Sequence, residues 1–440
     1  MIRNLLAICA LLLLTACGGG GGSASSSSSS ISSSPNPSGP PPALTNFATL
    51  TVDAGPPALD TGPNAYIQYN VAYVSIILCA PGSTTNCQTI DHVQVDTGSV
   101  GLRIPASVLN ASLLSALPIE SDSNSKPLGE CYGYVDGYAF GSVRQADFQV
   151  GGEKVAAMPL QVIGDSGAFA HVPSLCSAGG GANLATVSAL GANGIIGVGV
   201  TTTDCGTVCA TSGGYSAAIY YDCPASGCGS IVAEAASTAA PFQQVPNPVA
   251  AMAVDNNGTM VVLPSAPAAG ETSMTGTIYF GIGTQTNNAL GTASVLLTST
   301  SASPEGAGLI TAVYNGQALN ESTIDSGTNL YFFVDRAITG CTGQYVGYYC
   351  PTSPLALNAT LQGTNGASTS VSFTLQNAAT LLNTTDAVLP DIGGNPNTFS
   401  GLNAYPQSFD FGLPFFYGRR VYTAIEGRNA SGTTGPYFAF

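Results

Sequence analysis

Val93-Gln94-Val95-Asp96-Thr97-Gly98-Ser99 and Thr323-Ile324-Asp325-Ser326-Gly327-Thr328 are two versions of one phrase, and their reading decides the fold. Each is an apolar lead-in that runs into Asp, then Thr or Ser, then Gly, then Ser or Thr. Such a run followed by small polar residues reads as a strand that stops at its carboxylate. Both have an apolar partner ending in glycine downstream: Asn193-Gly194-Ile195-Ile196-Gly197-Val198-Gly199 after the first, Phe409-Asp410-Phe411-Gly412-Leu413-Pro414-Phe415 after the second. The separations are similar, 101 residues from Asp96 to Gly197 and 87 from Asp325 to Gly412. Repetition on this scale predicts two related lobes, each contributing one aspartate.

Composition narrows the chemistry that those aspartates could serve. The chain has 440 residues with Lys+Arg 9 and Asp+Glu 24, a formal net charge of -15, so nucleic acid is excluded as a partner for want of a basic surface. Only 8% of residues are charged and 45% are hydrophobic, enough apolar material for a large core. The two histidines, His92 and His171, are too few for most metal sites, and no cysteine spacing resembles a zinc knuckle. No metal and no cofactor is therefore expected. Carboxylates, hydroxyls and thiols remain, and a nucleophilic thiol would need a base that the scarce histidines do not offer. His92, four residues before Asp96, reads as a structural residue on the same strand face.

Beyond residue 44 the texture is that of strands. Tyr66 to Leu78, Phe148 to Val150, Met260 to Leu263 and Gly276 to Phe280 are short, rich in β-branched or aromatic residues, and bounded by turn formers. Asp136-Gly137 and Asn257-Gly258 are hairpin turn signals. No long stretch joins charge to a 3.6-residue apolar period, so helices should be few and short.

The N-terminus reads as an address. Arg3 precedes an apolar run from Leu5 to Leu14, too short to span a bilayer, and Leu14-Thr15-Ala16-Cys17 follows as a small-residue cleavage site. This resembles the lipobox of bacterial lipoproteins. The resemblance implies a signal peptide over 1–16, removed before Cys17, and acyl chains such as palmitate on that thiol as the membrane attachment. Gly18 in place of an aspartate implies outer-membrane rather than inner-membrane placement in the cell envelope. Residues 17–43, nearly all Gly, Ser and Pro after the cysteine, read as a flexible tether. Ten cysteines are left, at Cys79, Cys87, Cys131, Cys176, Cys205, Cys209, Cys223, Cys228, Cys341 and Cys350, an even number that suits disulfides in an exported protein. Cys79 with Cys87, Cys341 with Cys350 and Cys131 with Cys176 are the expected pairs. Cys205, Cys209, Cys223 and Cys228 allow nested or sequential pairing.

From about residue 65 to the end, the order and spacing of these motifs resemble a pepsin-like aspartic peptidase, and more narrowly a group of bacterial lipoproteins of unknown function within reach of that fold. Tyr134-Val135-Asp136-Gly137-Tyr138-Ala139-Phe140-Gly141 is similar to the family's flap hairpin. Arg420-Val421-Tyr422-Thr423-Ala424-Ile425 is similar to its closing strands. The resemblance implies a mostly β, bilobal double barrel with pseudo-two-fold lobes, here 44–240 and 241–440, and a cleft between them. It implies that Asp96 and Asp325 are a catalytic pair that activates water to hydrolyse a peptide bond in a polypeptide substrate. Thr97 and Ser326 would cross-link the active-site loops, Gly98 and Gly327 would let backbone N–H groups approach the carboxylates, and Ser99 and Thr328 would bond the outer carboxylate oxygens. Tyr134 would be the flap tyrosine, with Tyr132 as the competing choice. The other reading is an inactive relative that binds a peptide ligand, a protein or a glycan.

One departure stands out. Where the family usually carries a tryptophan after the first motif, this chain reads Leu102-Arg103-Ile104, and it has no tryptophan at all. Arg103 either takes over the support of the flap tyrosine by stacking or hydrogen bonding, accompanies an altered flap and activity, or forms a surface ion pair.

Overall fold

The computed structural model describes residues 45–59, 67–122, 125–178, 180–206, 218–228, 230–231, 244–301, 306–400 and 407–440. The described residues belong to one compact unit. The signal segment, Cys17, the tether and the 240/241 boundary lie outside the described residues.

The chain is mostly β, as expected. α-Helices among the described residues are short, such as Ala111–Ala116, Val187–Leu190 and Ala378–Leu381. Among the described residues, strands assemble into a 16-stranded sheet, a 7-stranded sheet and a 2-stranded ribbon. The large sheet takes strands from both halves of the chain, because Phe47–Val52 pairs antiparallel with Met274–Phe280 over six residues. The 7-stranded sheet is built wholly from residues of the second half, from Ile310–Tyr314 to Phe409–Phe411.

The internal repeat of the sequence is also a repeat of topology. In the large sheet, Cys87–Asp96 pairs parallel with Gly194–Val198, which pairs antiparallel with Val100–Pro105, which pairs parallel with Glu153–Ile163. In the 7-stranded sheet, Gln317–Ile324 pairs parallel with Phe409–Phe411, which pairs antiparallel with Tyr331–Phe333, which pairs parallel with Gly393–Gly394. Register matches as well: Val95 lies opposite Ile196, and Ile324 lies opposite Phe411. Each motif strand is thus pinned on its own downstream strand and sealed by core on the far side. Val93, Val95, Leu102, Ile104 and Val198 are fully buried behind the first motif. Behind the second, Phe333, Phe409 and Phe411 stack with ring centroids 4.3 and 4.0 Å apart.

A bulge between Ile90 and Val93 gives His92 a positive φ of 48°, and beyond it Val93 and Val95 alternate as buried positions with Gln94 between them. His92 lies 3.3 Å from Asp53, whose carboxylate raises the imidazole's pKa. One local expectation is corrected. Asn257-Gly258 is not a hairpin turn: Gly258 opens the strand Gly258–Val262, and the Asn257 amide bonds the carbonyls of Ile282 and Asn429. Asp136-Gly137 does close a hairpin, between Leu128–Gly133 and Gly137–Val150.

The disulfides Cys79–Cys87, Cys131–Cys176 and Cys341–Cys350 are formed, and the ambiguous group yields Cys223–Cys228. Cys205 is disulfide-bonded too, and Cys209 lies outside the described residues. Cys131–Cys176 closes a 45-residue separation against 8 for Cys79–Cys87. Because cross-linking removes more disorder from the unfolded chain as the loop lengthens, replacing both members of the long pair by serine should cost about 4 kcal/mol, against about 2.5 kcal/mol for the short pair. Equilibrium denaturant unfolding of the two double variants measures the difference.

Candidate active site

The two motif loops meet through their hydroxyl side chains. The Thr97 N–H donates to Ser326 Oγ at 3.1 Å, and the Ser326 N–H donates to Thr97 Oγ1 at 2.9 Å. Each hydroxyl passes its own proton to a carbonyl of the opposite lead-in strand, Ser326 Oγ to Val95 O at 2.7 Å and Thr97 Oγ1 to Ile324 O at 3.4 Å. Both side chains are buried, so all these polar groups are satisfied without water.

This cross-link brings Asp96 and Asp325 together. The glycine of each motif lies against the aspartate of the other: a Cβ on Gly98 would stand 2.5 Å from Asp325 Cγ, and one on Gly327 would stand 2.4 Å from Asp96 Oδ1. No side chain fits there, which is why glycine follows each hydroxyl residue. The same glycines hold the inner carboxylate oxygens. Gly98 N–H donates to Asp96 Oδ1 at 2.8 Å, and Gly327 N–H donates to Asp325 Oδ1 at 2.7 Å. On the outer side Ser99 Oγ donates to Asp96 Oδ2, and Thr328 Oγ1 lies 3.1 Å from Asp325 Oδ2.

A third carboxyl, which the sequence did not single out, joins the pair. Thr328 Oγ1 also lies 2.7 Å from Asp410 Oδ2. A hydroxyl has one proton to donate, so it cannot give a full hydrogen bond to both aspartates unless one of them is protonated and donates back. Asp410 stands between two core phenylalanines, opposite Thr323, and the corresponding place in the first repeat, opposite Gln94, is Ile195. A lone acid in the run Phe409-Asp410-Phe411 was the available signal.

Electrostatics follow from this crowding. Burial holds the Asp325 carboxyl well above the ordinary carboxylate range, and the charges of Asp96 and Asp410 push it further. Asp410 is pushed up to about 7, mainly by burial, with the Thr328 hydrogen bond opposing and the Asp96 charge adding to the rise. The two carboxyls are close neighbours, since a Cβ on Gly327 would lie against both Asp96 Oδ1 and Asp325 Oδ1.

The pair opens into a cleft of about 260 Å³ lined by Asp96, Asp325, Ser99, Tyr132, Tyr134, Val135 and Phe438, among others. Tyr132 and Tyr134 both reach it from the hairpin, ring centroids 4.9 Å apart, and the Tyr134 hydroxyl is buried with no hydrogen-bond partner among the described residues. Arg103 is not at the surface, which removes the surface ion pair from its possible roles. It is fully buried, with its guanidinium carbon 3.6 Å from the centre of the Tyr132 ring.

Two expected outcomes test this geometry. Thr97→Val keeps the shape but leaves the buried Ser326 N–H without an acceptor, and should lower stability by about 2 kcal/mol in denaturant unfolding. Asp410→Asn removes one of the negative charges that hold the Asp325 proton. If the cleft turns over substrate, the alkaline limb of its pH profile should move toward acid in that variant.

Comparison with solved structures finds 341 matching chains. One is the crystal structure of an aspartic proteinase from Irpex lacteus, with 14% sequence identity and a TM-score of 0.48 over 89% of this chain and 96% of that one. Comparison with curated proteins returns no match. Residues 42–440 match the profile of a family described as protein of unknown function, DUF3443, and the chain belongs to that family.

Proposed function

We propose that the protein is an aspartic-type endopeptidase, held by lipid on Cys17 at the bacterial cell envelope and acting on polypeptides outside the cytoplasm. The observation that carries this reading is the close approach of two carboxyls, each cradled by its own glycine N–H and outer hydroxyl, at the floor of an open cleft.

Amide hydrolysis without a covalent intermediate needs one group to take a proton from water while another supplies one to the carbonyl oxygen. A water between the carboxyls meets both requirements. The ionised member removes its proton as the water oxygen bonds to the carbonyl carbon, and the protonated member, Asp325 by its raised affinity for the proton, gives that proton to the carbonyl oxygen. The resulting gem-diol collapses as the carboxyl that gained the water proton passes it to the leaving nitrogen, the C–N bond breaks, and Asp325 takes a proton back from one of the two hydroxyls, leaving a carboxylic acid and an amine. Atoms and protons balance, and the pair ends with one proton, as it began.

The hairpin that carries Tyr132 and Tyr134 forms one wall of the cleft, so an extended chain laid along it would meet backbone groups as well as side chains. The lipid anchor is supported by the Leu14-Thr15-Ala16-Cys17 stretch, and an extracytoplasmic location by the disulfides.

The test is cleavage of an unfolded protein over an acid-to-neutral pH series. Wild type should cleave and be inhibited by a statine-containing peptide, and Asp96→Asn and Asp325→Asn should each lose activity by at least about 1,000-fold while keeping the wild-type melting curve. A wild type that neither cleaves nor binds the statine peptide would replace this reading by a surface binding protein.

A further inference from the structure

Arg103 is the bulkiest fully buried side chain among the described residues, and it carries a charge. Its Nη1 donates to Val100 O at 2.6 Å, and its Nη2 donates to Glu130 Oε1 at 2.6 Å and to Asp204 Oδ2 at 2.7 Å. Both carboxyls are fully buried. Asp204 is held in turn by Tyr220, whose hydroxyl donates to Asp204 Oδ1 at 2.8 Å and accepts from the Val245 N–H at 2.6 Å. Burial and the adjacent Glu130 charge raise the Asp204 pKa well above the usual range, while the Arg103 charge and the Tyr220 hydrogen bond oppose the rise.

A buried guanidinium is costly unless its partners fix it, and once fixed its plane is a rigid platform. The platform here faces Tyr132, and Tyr134 packs on Tyr132 in turn. Arg103 lies on Val100–Pro105, the strand entered directly from the Asp96 motif, whereas Glu130 lies on the hairpin strand beside Tyr132. One ion cluster therefore ties the wall of the cleft to the loop that carries a reactive carboxyl. We propose that Arg103, clamped by Glu130 and Asp204, is a positioning residue that fixes Tyr132 and, through it, Tyr134 over the aspartate pair. Glu130 and Asp204 do for Arg103 what Arg103 does for the tyrosines.

The absence of tryptophan makes a direct test possible. Val135 is 71% exposed at the hairpin tip, so Val135→Trp places a sole indole emitter there, and acrylamide quenching then reports the freedom of the hairpin with no substrate present. In that background Arg103→Lys, which keeps the charge but loses the planar fork, should raise quenching. Glu130→Gln should do the same and supplies the reading should Arg103→Lys fail to fold. Leu361→Ala, a buried position in the other sheet, should lower the melting temperature without changing the quenching of the indole, because it softens the protein elsewhere.

The kinetic arm alone rests on the hydrolytic reading: Arg103→Lys should lower kcat by about 100-fold with little change in KM. Raised quenching in the cluster variants of a protein whose parent cleaves nothing would uphold the positioning role and count against the hydrolytic reading instead. Unchanged quenching in both cluster variants, or equal loosening in Leu361→Ala, would overturn the proposal.

Discussion

Two hydroxyl groups, those of Thr97 and Ser326, hold together segments 229 residues apart in the chain, and everything of chemical interest depends on that link. Each accepts a backbone N–H from the opposite loop and donates to the opposite lead-in strand, so neither loop can shift without leaving buried polar groups unpaired. The loops end in carboxylates that repel when both are ionised. The structure therefore opposes an electrostatic repulsion with a set of directional bonds that do not titrate. Gly98 and Gly327 complete the device, since any larger residue at either place would occupy the space of the facing carboxyl.

Crowding of acids then becomes useful. Burial and the charge of Asp96 raise the proton affinity of Asp325, and Asp410, reached through Thr328, adds a further charge from the second motif's own sheet. The first motif has no such neighbour, because Ile195 fills the equivalent place. The pair is symmetrical in its cross-link and asymmetrical in its surroundings, which is the condition for two chemically equal groups to divide the work of acid and base. Another carboxyl pair, Glu130 with Asp204, is fully buried around a guanidinium, and both acids accept from Arg103 Nη2.

Much of this was legible in the sequence, and what was missed has physical reasons. The motif strands could be read because period-two burial and a terminal Asp-Thr-Gly or Asp-Ser-Gly leave a local pattern, and the repeat doubled the signal. The pairs Cys79–Cys87 and Cys341–Cys350 followed from short spacing and turn-rich loops, a signal that Cys131–Cys176, 45 residues apart, does not carry. Asp410 was passed over because an acid within an aromatic run gains its meaning only from the register that sets it opposite Thr323. Arg103 was noticed as a departure, but its partner Asp204 is 101 residues away and no local pattern connects them.

The most direct measurement is a carbon-13 NMR titration of the aspartyl carboxyl groups, with the Asp325 resonance assigned by its loss in Asp325→Asn. The account requires Asp325 to remain protonated well above the ordinary aspartic acid pKa of about 3.9 and to ionise at lower pH when Asp96→Asn removes the facing charge. An Asp325 that titrates in the ordinary range, unmoved by that substitution, would show that the two carboxyls do not share a proton and would contradict the account.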